Sequence, residues 1–187
     1  MVLLIAFLRF VWRTWLCICC ADLVSGAVHW WEDTYGKRSW PILGRLVIEP
    51  NLEHHARPRS FLKHGVWKSI DIQVVLGGAL ILVAWSIGWL SYEFSLIVVL
   101  MIAANVTHRW AHSSESENGG FITLLQKLHV VQTRAYHSKH HTRNADRHYC
   151  ALTPWLDPIL DAINFWRRLE YLVTMTTGIR PVELVTR

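Results

Sequence analysis

The stretch "IQVVLGGALILVAWSIGWLSY", residues 72–92, is 21 residues long and carries no charge. Roughly 20 apolar residues in a helix cross a hydrocarbon core ~30 Å thick, so this stretch is long enough to span a bilayer. After Glu93 the uncharged run resumes at Phe94 and continues to Thr107; with His108 and "RWAH" it is again long enough. The two runs, joined by "GWLSYEF", predict a transmembrane hairpin with spans at about 72–90 and 94–112. Upstream, "LLIAFLRFVWRTWLCICCADLVSGAVHWW" (3–31) is apolar but contains Arg9, Arg13 and Asp22. It lacks the charged n-region and A-x-A pattern of a signal peptide. It reads instead as a first span over about 10–31, with both arginines snorkelling at one end.

Charge placement orients the three spans. Seven Lys/Arg fall between Trp31 and Asp71 and ten between His108 and the end, so 17 of 19 lie on one side. That side is predicted to be cytoplasmic. The asymmetry also accounts for the net charge of +5. No basic-aromatic motif or binding module points to nucleic acid. The 11 Trp suit membrane–water interfaces. Cys17, Cys19 and Cys20 lie inside the first apolar run and Cys150 stands alone, so the cysteines read as packing thiols and not as a disulfide framework. "SSESENGG" (113–120) reads as a turn-rich loop, and "FITLLQKLHVV" (121–131) has helical apolar spacing along the interface. From Pro154 a last amphipathic helix is expected to run to about Thr177, its stripe made by Ile159, Leu160, Ile163, Trp166, Leu169 and Val173. The expected fold is therefore an all-α integral membrane protein: one domain over 1–187, three transmembrane helices, and cytosolic or interfacial helices.

The 11 histidines follow this topology. His29 ends the first span. His54, His55 and His64 lie in the first cytosolic segment, and His108 and His112 at the cytosolic end of the third span. His129, His137, His140, His141 and His148 follow. None falls on the far side or at mid-membrane. His108 and His112 are i, i+4, and "HSKHH" (137–141) repeats that spacing, so each set shares a helix face. Neutral imidazole is a ligand for Fe, Zn, Cu and Ni. A structural zinc needs four ligands, and this surplus suits two metals better than one. Asp33, four residues after His29, and Glu53, beside His54, could hydrogen-bond the outer imidazole nitrogens. His64 and His148, taken singly, also fit solvated loop positions.

"HRWAH" has the H-x-x-x-H frame of a zinc protease, but Arg109 stands where the glutamate base should be. A bis-His haem protein would place ligand pairs on facing spans, not a one-sided crowd in loops. A His-rich di-iron oxygenase acting on a lipid C–H bond remains, against a non-catalytic membrane protein that binds metal for sensing, storage or electron relay.

In several ordered blocks the chain resembles the Kua/CarF-type lipid desaturase family, over nearly its whole length. D-x-x-S-G-x-x-H-W-x-x-D-x-x-G is met by Asp22, Ser25, Gly26, His29, Trp30, Asp33 and Gly36. E-H-H-x-x-P with a later His is met by Glu53, His54, His55, Pro58 and His64. H-x-W-x-H is met by His108, Trp110 and His112. L-Q-x-x-H followed by H-x-x-H-H is met by Leu125, Gln126, His129, His137, His140 and His141, and "FWRRLE" (165–170) is similar as well. The resemblance implies two iron ions held by these ten histidines, with Asp22, Asp33 and Glu53 orienting them and O2 as co-substrate. It also implies a membrane phospholipid substrate and an external electron donor of cytochrome b5 or ferredoxin type. One branch of the family converts an alkyl-ether phospholipid to its vinyl ether; a plant branch desaturates an acyl chain of phosphatidylglycerol. Tyr136 and Ala145 depart from the ether type towards the acyl type, His64 and His129 match the ether type, and His148 belongs to neither pattern. Gly26, one turn before His29, is expected to admit a close neighbour.

Overall fold

The computed structural model describes residues 1–142 and 146–182. Every regular element among the described residues is helical. Three helices are long and apolar enough to cross a membrane: α1 (Val2–Tyr35), α3 (Val66–Ser86) and α4 (Tyr92–His112). The chain is a membrane protein. α4 packs against α1 on one side and α3 on the other. The α3–α4 contact depends on Gly77, where a Cβ would stand 2.8 Å from Ile102 Cδ1; small residues let spanning helices approach this closely. On the other side, the Tyr92 ring lies 5.6 Å from Phe10 and its hydroxyl 3.0 Å from that of Thr14, and Arg13 pairs with Glu93.

α1 is longer than the expected span over 10–31. It has 34 residues, about 51 Å at ~1.5 Å per residue. Arg9 and Arg13 are good helix formers and do not interrupt it. Because Arg13 sits level with Glu93 at the start of α4, the turns before Phe10 project beyond the hairpin connection.

Between α1 and α3, a π-helical turn (Gly44–Ile48) runs directly into α2 (Glu49–Ala56), whose first turn holds Pro50, and a 3-10 turn (Pro58–Leu62) follows. Arg109, on α4, donates from its two terminal nitrogens to the carbonyls of Phe61 and Leu62 at 2.7 and 3.1 Å. The residue that replaces a protease base in "HRWAH" therefore ties the 3-10 turn to α4.

Two expectations are corrected here. "SSESENGG" is not a loop: α5 (Glu115–Lys127) begins inside it, because Ser114 and Glu117 form a capping box that satisfies the first backbone donors. The chain bends only at Gly119, where φ is +72°. The single helix expected from Pro154 is two helices, α7 (Asp157–Ala162) and α8 (Phe165–Thr177), which follow the short α6 (Arg134–His137). They separate at Asn164, whose φ of 51° is left-handed, a conformation asparagine tolerates. The break turns Leu160 and Trp166 inward beside Trp30, Tyr35, Tyr149 and Cys150, and leaves Ile159 and Ile163 exposed.

The stretch from Tyr149 to Thr153 lies against α1. Gly26 makes room for it, since a Cβ there would meet the Cys150 backbone at 3.2 Å; the close neighbour is this loop and not a helix. Asp22 then accepts from Leu152 N, Thr153 N and Thr153 Oγ1 at 2.9, 3.1 and 2.6 Å. The charge of Asp22 is thus spent on bracing this loop, and it touches no imidazole in these bonds. The four cysteines are free, with Cys17 and Cys150 buried as packing thiols. Asp22→Ala would leave the buried donors of Leu152 and Thr153 unmatched, a loss of about 3 kcal/mol. Asp22→Asn, which keeps one acceptor, should lose about half of that. Thermal unfolding of the two variants in the same detergent measures the difference.

Candidate metal centre

The C-terminal turns of α1 and α4 and the segments 54–55 and 137–141 place their polar side chains at one end of the helical frame. On α1, His29 and Asp33 are one turn apart; on α4, His108 and His112 are likewise. Adjacent residues of α2 diverge: His54 turns towards His108, and His55 towards Asp33. Two groups result. One holds His54, His108, His112, His137 and His141; the other holds His29, Asp33, His55 and His140. Within each, one ligand atom per residue lies within 4.8 Å of all the others. The groups adjoin, with ring centroids 4.5 Å apart for His54–His55 and 4.8 Å for His55–His141.

Tautomers follow from the outer hydrogen bonds. A carbonyl can only accept, so the Nδ1 atoms of His29, His54 and His140 must donate to Tyr149 O, Asn51 O and Arg147 O at 3.2, 2.7 and 2.8 Å. A neutral ring bonded in this way turns an unprotonated Nε2 inward, and all three Nε2 atoms, with that of His55, are buried without a hydrogen-bond partner. Unmatched buried polar atoms are rare in folded proteins. A cluster of them on convergent imidazoles fits a metal. Spacing agrees: His108 and His112 bring Nε2 atoms to 3.0 Å, and so do His137 and His141. Two nitrogens side by side on one ion with bonds of ~2.1 Å stand about that far apart. Burial, then the neighbouring imidazoles, hold His54 and His137 well below the usual imidazole range and push His141 down to about 2. These rings are therefore neutral, the form that ligates.

Several supporting residues carry no sequence motif. Phe61 lies over the first group, with centroids 5.0, 5.9 and 6.0 Å from His108, His54 and His112. Gln132 is almost wholly buried and donates to Cys150 O and Thr153 O at 2.6 and 3.1 Å, holding the loop that bears Tyr149. Asn51, also buried, donates to Asp33 Oδ1 at 2.6 Å. The spacing i, i+3 from Asn51 to His54 was the only available signal.

Not every expected residue joins the groups. His64 and His129 are exposed and stand outside both. His129 takes a left-handed φ of 57°, and its carbonyl accepts from Trp155 Nε1. His148 faces Asp161, Nδ1 to Oδ2 at 2.9 Å, with the Tyr136 ring 5.0 Å away; Tyr136 itself donates to Pro154 O. Glu53 is exposed and pairs with Lys63 at 3.5 Å instead of orienting His54. Asp33, expected behind His29, instead offers an oxygen inside the second group. Ala145 lies outside the described residues.

The protein class follows from this arrangement: a membrane protein with two adjoining buried, His-rich groups that could hold metal at the ends of its spans. The chain belongs to the lipid desaturase domain family, which matches residues 18–183. Its relatives include a plasmanylethanolamine desaturase of Myxococcus xanthus, 28% identical over 86% of this chain and 59% of the relative. Plasmanylethanolamine desaturase 1 of Mus musculus is 32% identical over 86% of this chain and 64% of the relative. A chloroplastic fatty acid desaturase 4-like protein of Arabidopsis thaliana is 26% identical over 86% of this chain and 58% of the relative. The chain thus spans less than two thirds of the length of each of these three relatives. No solved structure matches it.

Replacing a converging imidazole, as in His112→Ala or His137→Ala, should weaken metal binding by about a hundredfold or more, since even outer partners are worth 10–100-fold. His64→Ala and His129→Ala should leave bound metal per chain unchanged. Elemental analysis of the purified variants distinguishes the two sets.

Proposed function

We propose that this chain is a di-iron, O2-dependent membrane lipid desaturase that converts the alkyl-ether chain of a plasmanyl phospholipid to a vinyl ether. The observation that carries the reading is the pair of adjoining buried ligand groups, nearly all imidazole with a single carboxylate, at the rim of three membrane helices. A nitrogen and oxygen donor set without thiolate suits iron. Two irons, one per group, would supply the oxidation in which –CH2–CH2–, O2, two electrons and two protons give –CH=CH– and two waters. The electrons come from a separate donor, of cytochrome b5 or ferredoxin type.

The chain's own residues provide the setting. Carbonyls of Asn51, Tyr149 and Arg147 hold three rings in one tautomer, and Phe61 screens the first group. The site lies at the helix ends that border the bilayer, so a phospholipid could present a tail to it without leaving the membrane. The concentration of Lys/Arg on that side supports a cytoplasmic orientation. Relatives of 28% and 32% identity named plasmanylethanolamine desaturases support the ether reading; another relative of 32% identity named a probable fatty acid desaturase, and the plant relative at 26%, support the acyl reading. An acyl-chain desaturase is the second reading.

Expression in a host without plasmalogens, fed an alkylglycerol, should yield acid-labile vinyl ethers that release a fatty aldehyde, and the purified chain should carry close to two irons. A new acyl double bond with no aldehyde establishes the second reading; one zinc and no iron overturns both. Cysteine labelling from each side should reach Ser91→Cys only from outside and Glu53→Cys only from the cytoplasm.

A further inference from the structure

The Asp33 carboxylate is surrounded unequally. Its Oδ1 accepts the Asn51 amide at 2.6 Å and lies 3.0 Å from His55 Nε2. Its Oδ2 lies 3.2 Å from His140 Nε2 and 3.7 Å from His29 Nε2, and has no hydrogen-bond donor, although it is buried. Asn51 is buried too, at 8% exposure, and its own carbonyl accepts from His54 Nδ1 at 2.7 Å. One residue therefore touches both ligand groups: the second through its side chain, the first through its backbone.

We infer that Asn51 is a positioning residue that engages Oδ1 of Asp33 and so presents Oδ2 as the single carboxylate ligand of the second metal. Two features support this. An oxygen already bonded to a donor is a poorer metal ligand than its bare neighbour, so the carboxylate binds through one oxygen. Rotation of Asp33 about its Cβ–Cγ bond would break a bond inside a dry site, which costs more than the same bond in water. The α2 segment "NLEHH" thus supplies a ligand to each group through His54 and His55, and Asn51 orients His54 in the first group and Asp33 in the second.

The inference rests on the two-metal reading above, and the test separates them. The full chain is purified in detergent, loaded anaerobically with Co2+ alone, and assayed for bound metal and for release to a chelator. Asn51→Leu keeps the shape of the side chain and removes the donor. Its backbone carbonyl still serves His54, so the first group should keep its ion. Wild type should hold two ions; Asn51→Leu should hold one tightly and release the other about tenfold to a hundredfold faster. The ion lost should be the one lost in His140→Ala, so the double variant binds no less than either single variant. Two ions in Asn51→Leu with unchanged release overturns the inference and leaves the two-metal reading standing, whereas one ion in wild type overturns the reading and the inference with it. If Asn51→Leu loses both ions together with its helical circular dichroism, Asn51→Ala decides: one weakened ion supports the positioning role, and two tight ions end it.

Discussion

Nine side chains, five in one group and four in the other, give up water on their inward faces, and the fold follows from what that requires. A buried imidazole is tolerable only if its outer nitrogen is bonded and its inner one has a use. Here the outer bonds of three rings go to backbone carbonyls at Asn51, Arg147 and Tyr149. Backbone acceptors do not rotate away, so the rings are set by the path of the chain itself. The path must then be held, and most of the buried polar contacts outside the groups hold it.

Asp22, Gln132 and Asp157 illustrate the division of labour. Asp22 anchors Leu152 and Thr153 to α1, and Gln132 anchors Cys150 and Thr153 from the other side. Asp157 accepts from Cys150 N at 3.1 Å. Burial pushes the Asp157 carboxyl up to about 7. Together they hold the Tyr149 carbonyl beneath His29. Arg109 does the same for the opposite wall by fixing the turn that carries Phe61.

The bilayer explains why these contacts crowd at one end. Along the spans Gly77 lets α3 and α4 approach closely, while Ala21 and Ala104 pack with Ala151 and Leu152 of the loop that returns to α1. At the rim the backbone can leave the helical form, and α2, α6 and the 147–153 loop can bring side chains from distant parts of the chain to one place. Three spans give the site its floor, and the irregular segments enclose it.

Much of this was legible in the residue order alone. Uncharged runs of span length, the one-sided Lys/Arg distribution and the i, i+4 histidine pairs are local patterns with a fixed period, and local patterns survive folding. They announced three long helices and a gathering of histidines at their ends. Partition between the two groups was not legible, because His54 and His55 are neighbours in sequence and part only when α2 is set against α1 and α4. Nor was the exposure of His64 and His129, which stand outside both groups. Asn51, Phe61 and Gln132 act through bonds and ring contacts that cross between segments, Asp33 became a ligand candidate only once His55 and His140 closed around it, and Arg109 found its partners 47 and 48 residues away. Period and hydropathy write the helices; which side chains meet is decided by packing between segments that the sequence keeps apart.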